Sequence, residues 1–163
     1  VYVCFPWQTY CEFKQALNEA DLEPDNCIVW NKNNLGLGNK KYRGKHELMF
    51  FCERSGPWYG NQAQSDVWDF KREAAGSYVH PTQKPVKLVE RALLNSSQKA
   101  GVVLDLFGGS GTTLIACEKR NRSARLMELD PKYCDVIIKR WQEYTGGQAV
   151  HADTGKPFGT KNS

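Results

Sequence analysis

Asp105, Gly108, Gly109, Gly111 and Glu128 are the residues of this chain whose types and spacing suit binding chemistry. The three glycines fall within Gly108–Gly111, so the backbone there can turn tightly and approach a ligand unobstructed by side chains. Glu128 follows the turn by about twenty positions, the separation at which a carboxylate accepts hydrogen bonds from both hydroxyls of a ribose. The plain alternative for Glu128 is a carboxylate at a strand edge facing water. A phosphate-cradling loop is disfavoured, because Thr112 stands where its lysine would follow the last glycine. The dinucleotide spacing G-x-G-x-x-G is also incomplete. These residues suit a nucleoside.

Positioning them requires a strand, a turn and a helix in that order. Val102-Val103-Leu104-Asp105-Leu106-Phe107 is apolar except at Asp105 and breaks abruptly into glycine, which predicts a strand buried on both faces. Thr112 and Thr113 then open a helix, where a hydroxyl can satisfy orphan N–H groups. Residues 124–129 read as a second strand, and Asp130-Pro131 as a helix N-cap with proline at the first helical position. Tyr133, Ile137, Trp141 and Tyr144 give that last helix its stripe, and Gly146-Gly147 stops it. Upstream, His80-Pro81-Thr82-Gln83-Lys84-Pro85 forms a stiff loop before a helix whose stripe is Val86, Val89 and Leu93. By itself that loop offers only a solvated lysine and a helix cap.

The two motifs together resemble a known family. Asp105–Thr113 is similar to the S-adenosylmethionine loop of the amino-group DNA methyltransferases, and His80–Pro85 to the segment preceding it in their permuted beta class. That class makes N6-methyladenine or N4-methylcytosine, and the resemblance covers residues 1–145. It implies an α/β fold: a Rossmann-like methyltransferase sheet, mostly parallel, with an antiparallel hairpin at one edge. It implies S-adenosylmethionine as cofactor, with Asp105, Phe107, Gly108, Gly109, Ser110, Gly111 and Thr112 shaping its loop and Glu128 on its ribose. Thr82 and Lys84 would approach the methionine carboxylate. Double-stranded DNA would be the partner, its target base flipped out of the duplex.

One family feature is missing. Transfer to an exocyclic amine is carried there by a segment of Asp-Pro-Pro-Tyr type, whose polar group and carbonyl accept the amine's hydrogens. No such segment occurs, and Cys4-Phe5-Pro6-Trp7 has one proline and no carboxylate or amide at its head. No catalytic residue is therefore assigned. The chain is expected to be the C-terminal portion of a longer protein, without one central strand, which a missing N-terminal segment or another subunit would supply. Alone, it is expected to bind the cofactor weakly and to transfer no methyl group.

At 163 residues and 40% hydrophobic the chain suits one domain with a respectable core. The expected division is a partial methyltransferase domain over 1–145, with a cofactor-binding half at 80–145, and a C-terminal tail at 146–163 that frays beyond Asp153. Within it, residues 31–58 form a basic hairpin between strands at Cys27–Trp30 and Leu48–Cys52. That segment carries six basic side chains against two acidic ones, and four asparagines. Lys40, Lys41, Arg43 and Lys45 are the candidates for DNA backbone contact, with asparagine amides able to reach base edges. A solvated surface loop is the alternative. His46 reads as structural or phosphate-facing.

A strand at Val1–Phe5 and a helix over Thr9–Ala20, its face set by Phe13, Ala16, Leu17 and Ala20, complete the first half. Gln148–Asp153 could add a short strand. The six cysteines show no C-x-x-C spacing, which predicts neither a metal site nor a disulfide framework. With no membrane span or signal segment in sight, a cytoplasmic location is expected. Two rivals remain: a non-catalytic nucleic-acid-binding module with the same fold, and an enzyme using a nicotinamide nucleotide.

Overall fold

The computed structural model describes residues 1–36, 39, 41–71 and 83–159. His80, Pro81, Thr82 and Lys40 lie outside them. The chain divides into two compact units: Val1–Ala74 with Leu94–Ser96, and Ala75–Leu93 with Ser97–Ser163.

The first unit contains β1 (Tyr2–Phe5), a 3-10 turn at Trp7–Thr9, α1 (Tyr10–Glu19), β2 (Asn26–Asn31), β3 (His46–Phe51) and β4 (Val67–Asp69). The sheet order is β1-β3-β2-β4, with β3 antiparallel to both β1 and β2, and β4 parallel to β2. The expected hairpin is therefore present but not at the edge. Trp68 is buried, and the Trp30 indole N–H donates to the Phe70 carbonyl at 2.7 Å, which seats β4 outside β2. Strand alternation sends Phe5 and Phe50 to one face, where their rings stack at 4.1 Å over Leu17 and Cys52. Tyr2 and Phe51 meet at 5.1 Å on the other. In α1 only Phe13 and Leu17 of the expected stripe are engaged; Ala16 and Ala20 are exposed.

A reciprocal amide pair closes this unit. Gln64 Nε2 donates to Asn95 Oδ1 at 2.9 Å, Asn95 Nδ2 returns a bond to Gln64 Oε1 at 3.0 Å, and Tyr59 N–H donates to the Asn95 carbonyl. Asn95 is buried, and Asn95→Ala removes both bonds of this amide pair. A loss of about 1–3 kcal/mol in chemical denaturation is expected.

The second unit contains most of α2 (Val86–Ser96), then β5 (Val102–Asp105), α3 (Thr112–Arg120), β6 (Ser123–Leu126) and α4 (Pro131–Thr145). Strands β5 and β6 are parallel, in register from Val102↔Ser123 to Asp105↔Leu126, with α3 as the crossover. Leu93, Ala116 and Cys117 form its core, joined by Val86, Val89, Val103 and Ala124. Glu90 is buried beneath Arg120 and Lys119, which pair with it. Asp130 caps α4 as expected, its carboxylate accepting from Lys132 N–H at 2.9 Å, and Gly146 ends it in a left-handed conformation.

Three expectations are corrected here. Strand β5 is covered on one face only: Val103 packs inward, while Val102 and Leu104 are 67% and 64% exposed. Among the described residues β5 pairs with β6 alone. The stripe of α4 ends before Tyr144, which is exposed with the Lys119 ammonium 5.9 Å from its ring. Gln148–Asp153 forms no strand; a single bridge, Val150↔Pro157, and turns through Phe158 order this part of the tail.

Burial pushes the Cys117 thiol up to about 11. At pH 8 about one molecule in a thousand would carry the thiolate, so iodoacetamide should leave Cys117 unlabelled while exposed Cys11 reacts, as read by mass spectrometry. The sign for stability follows. Unfolding lets this thiol ionise from about pH 9, so its contribution is whole below that and disappears as pH rises toward 11.

Candidate nucleoside-binding site

The glycine turn lies between β5 and α3 in the second unit, and Glu128 lies two residues beyond β6. Gly109 and Gly111 have φ of +54° and +77°, the left-handed region that favours glycine. The turn is tied to its surroundings at every step. Gly108 N–H donates to the Met127 carbonyl at 2.8 Å, and Gly109 N–H donates to Glu128 Oε2 at 2.7 Å. Asp105 accepts from Phe107 N–H at 3.0 Å and from the Thr113 hydroxyl at 2.6 Å.

The threonines do not cap α3, contrary to expectation. Gly111 occupies the N-cap and has no side chain to offer, which places both threonines inside the helix. Thr113 reaches Asp105, and the Thr112 hydroxyl donates to the Lys84 carbonyl at 3.2 Å. That last bond brings the described part of the proline segment, Gln83–Pro85, against the glycine turn. Glycine turn, carboxylate and Lys84 are thus contiguous within one unit; Thr82 lies outside the described residues.

Two contributors escaped the sequence reading. The Arg140 guanidinium on α4 donates through Nη1 to the Ser110 carbonyl at 3.0 Å and also reaches the Ser110 and Thr112 hydroxyls. Nothing local announces this, since an arginine on the polar side of a helix usually faces water. Leu129 lies past the end of β6, outside the strand its apolar pattern predicts, and is 98% exposed beside Glu128; Phe107 is 88% exposed. Exposed apolar side chains on either side of a glycine turn in the sequence are suited to the flat face of a nucleobase.

The carboxylate is fixed by the turn: Oε2 accepts from Gly109 N–H at 2.7 Å and Oε1 from Asp130 N–H at 3.0 Å, which sets its position beside the left-handed glycines. Among the described residues no cluster of histidine, cysteine and acidic side chains could hold a metal ion.

In the first unit, the basic loop joins β2 to β3. Lys41, Arg43 and Lys45 are exposed, whereas Lys32 is paired with Glu47 at 2.8 Å. His46 begins β3 opposite Asn31 and is exposed.

A parallel β-α-β unit with a glycine turn after its first strand and an acidic residue just past its second defines a Rossmann-like nucleoside-binding fold. The chain belongs to the N6/N4 methyltransferase family, whose profile, described as DNA methylase, matches residues 2–140. It is 30% identical over 165 residues to the Type II methyltransferase M.HinfI of Haemophilus influenzae, covering 88% of this chain and 46% of that protein. With the Type II methyltransferase M2.MboI of Moraxella bovis it shares 37% identity over 150 residues, covering 80% and 54%. The crystal structure of the M1.HpyAVI–SAM complex matches with a TM-score of 0.72 at 24% identity, over 86% of this chain and 72% of that one. The cytosine-N4-specific PvuII DNA methyltransferase matches with a TM-score of 0.65 at 16% identity, over 82% and 56%. These neighbours establish the methyltransferase fold. The chain spans about half the length of the curated relatives it matches.

Proposed function

We propose that this chain is the cofactor-binding portion of a DNA methyltransferase acting on adenine N6 or cytosine N4. The observation that carries this reading is the Glu128–Gly109 bond, which fixes a carboxylate beside a left-handed glycine turn after the first strand of a parallel β-α-β unit. The residues present fit S-adenosylmethionine. Gly108–Thr112 would form the floor, Glu128 would accept the ribose hydroxyls, and Phe107 and Leu129 would flank the adenine. Asp105 holds the turn in shape, and Thr82 and Lys84 would face the methionine end. When bound, that cofactor supplies an electrophilic sulfonium methyl group.

Double-stranded DNA would meet Lys40, Lys41, Arg43 and Lys45, in line with the DNA methylase relatives. The exposed Val102–Leu104 face supports a further segment, from the N-terminal side or from another subunit, that would cover β5 and bring the Asp-Pro-Pro-Tyr-type group. By analogy with the Type II relatives the complete enzyme would modify a specific site. All six cysteines are free, which suits a reducing cytoplasm. No helix among the described residues is long and apolar enough to cross a membrane.

Calorimetry with S-adenosylhomocysteine, competed by NADH, tests the cofactor. Binding displaced by S-adenosylmethionine and untouched by NADH is expected; displacement by NADH would favour a nicotinamide site. A tritiated methyl donor should label DNA only after the missing segment is supplied, and labelling by the chain alone would refute that dependence. The absent catalytic tetrapeptide favours one second reading, a non-catalytic nucleic-acid-binding module. DNA binding without cofactor binding would establish it.

A further inference from the structure

Tyr42 is 94% exposed and lies between Lys41 and Arg43 in the loop joining β2 to β3. A single exposed aromatic ring needs no explanation by itself. Its electrostatic setting does. From Asn31 to His46 the sequence contains no acidic residue, and the side chains of Lys41, Arg43 and Lys45 form no ion pair among the described residues. Lys32, at the base of the same loop, is by contrast neutralised by Glu47. The ring is thus flanked along the chain by cations that no described carboxylate pairs with. An apolar protein pocket would have to desolvate those cations to receive it, whereas a polyanion would pair with them.

The loop is also supported. Lys32 N–H donates to the Lys45 carbonyl and Gly36 N–H to the Gly44 carbonyl, both at 2.8 Å, so the ladder continues beyond the strands. The two sides approach so closely that a Cβ on Gly36 would lie 3.0 Å from the Gly44 oxygen. A side chain carried on such a braced arm loses less freedom on binding than one on a slack loop.

We propose that Tyr42 stacks on an unstacked base of duplex DNA while Lys41, Arg43 and Lys45 pair with neighbouring phosphates. This rests on the DNA reading above and adds to it the residue that senses the base. Stacking on an aromatic ring is tolerant of sequence and largely independent of salt, whereas each phosphate contact steepens the salt dependence. The two contributions can therefore be separated.

The test uses the full chain and a fluorescent duplex carrying 2-aminopurine opposite an abasic site, titrated across a range of salt. Tyr42→Ala is expected to weaken binding about tenfold with the salt slope unchanged, and to abolish 2-aminopurine quenching. Tyr42→Trp and Tyr42→Phe should retain both, and Lys41→Ala/Arg43→Ala should flatten the slope. If Tyr42→Ala binds and quenches like the parent while the double variant weakens binding, the stacking role is overturned and the DNA reading stands. Equal rescue by Tyr42→Leu would also overturn it, because an aliphatic side chain cannot stack. A parent chain with no salt-dependent affinity for the duplex would remove the DNA reading, and this inference with it.

Discussion

Replacing Glu128 by glutamine is expected to weaken binding of S-adenosylhomocysteine by about ten- to a hundredfold, the range for a lost hydrogen bond to a charged group. Its two oxygens already accept from Gly109 and Asp130 N–H groups. Glutamine turns one of those acceptors into a donor, which would face a backbone N–H. The ligand loses a charged acceptor at the same time. Calorimetry gives the affinity, and the thermal midpoint without ligand reports damage to the turn. A Glu128→Gln chain that binds as tightly as its parent would show that the ribose is held elsewhere.

Gly111→Val is expected to cost the chain about 2–5 kcal/mol in chemical denaturation, from left-handed strain together with overpacking. At φ +77° a Cβ would sit 3.0 Å from Ile137 Cγ2 and 3.2 Å from Cγ1, and Ile137 is itself buried. Gly146 separates the two contributions. Its φ is +70°, but a Cβ there would meet nothing within 4 Å. Gly146→Ala should therefore cost only about 1–2 kcal/mol, the conformational part alone. Equal losses at the two positions would show that Ile137 moves aside freely, so the glycine is needed only for its backbone.

The β5–turn–α3 segment was legible because its signals are local: an apolar run, a dense glycine cluster and an abrupt return to helix formers. The Asp130-Pro131 cap was legible for the same reason. What the sequence could not reveal depended on distant partners. Val67–Asp69 is three residues long and becomes a strand only by pairing with Val29–Asn31, so the hairpin was read as an edge. Thr112 and Thr113 fall inside the helix, just past the N-cap that Gly111 occupies. Where their hydroxyls donate is decided by the Lys84 carbonyl and the Asp105 carboxylate, which the sequence does not place beside them. Arg140 reaches the turn from thirty residues away. Alternation showed that Val102 and Leu104 share a face, but an apolar pattern says what a side chain favours, not what covers it.

Lys84 illustrates the same limit at the site. Its side chain is the part that suits an anion, yet the hydrogen bond that ties it to the glycine turn is accepted by its carbonyl. The segment is fastened by its backbone, so Lys84→Ala should leave that bond intact while removing any charge offered to a carboxylate.

The valine and leucine that β5 turns toward solvent determine how this chain behaves in a test tube. Oily side chains on a strand that among the described residues pairs along one edge invite copies to adhere, so turbidity and light scattering should climb with protein concentration and with warming. Placing a lysine at Leu104 should keep the solution clear.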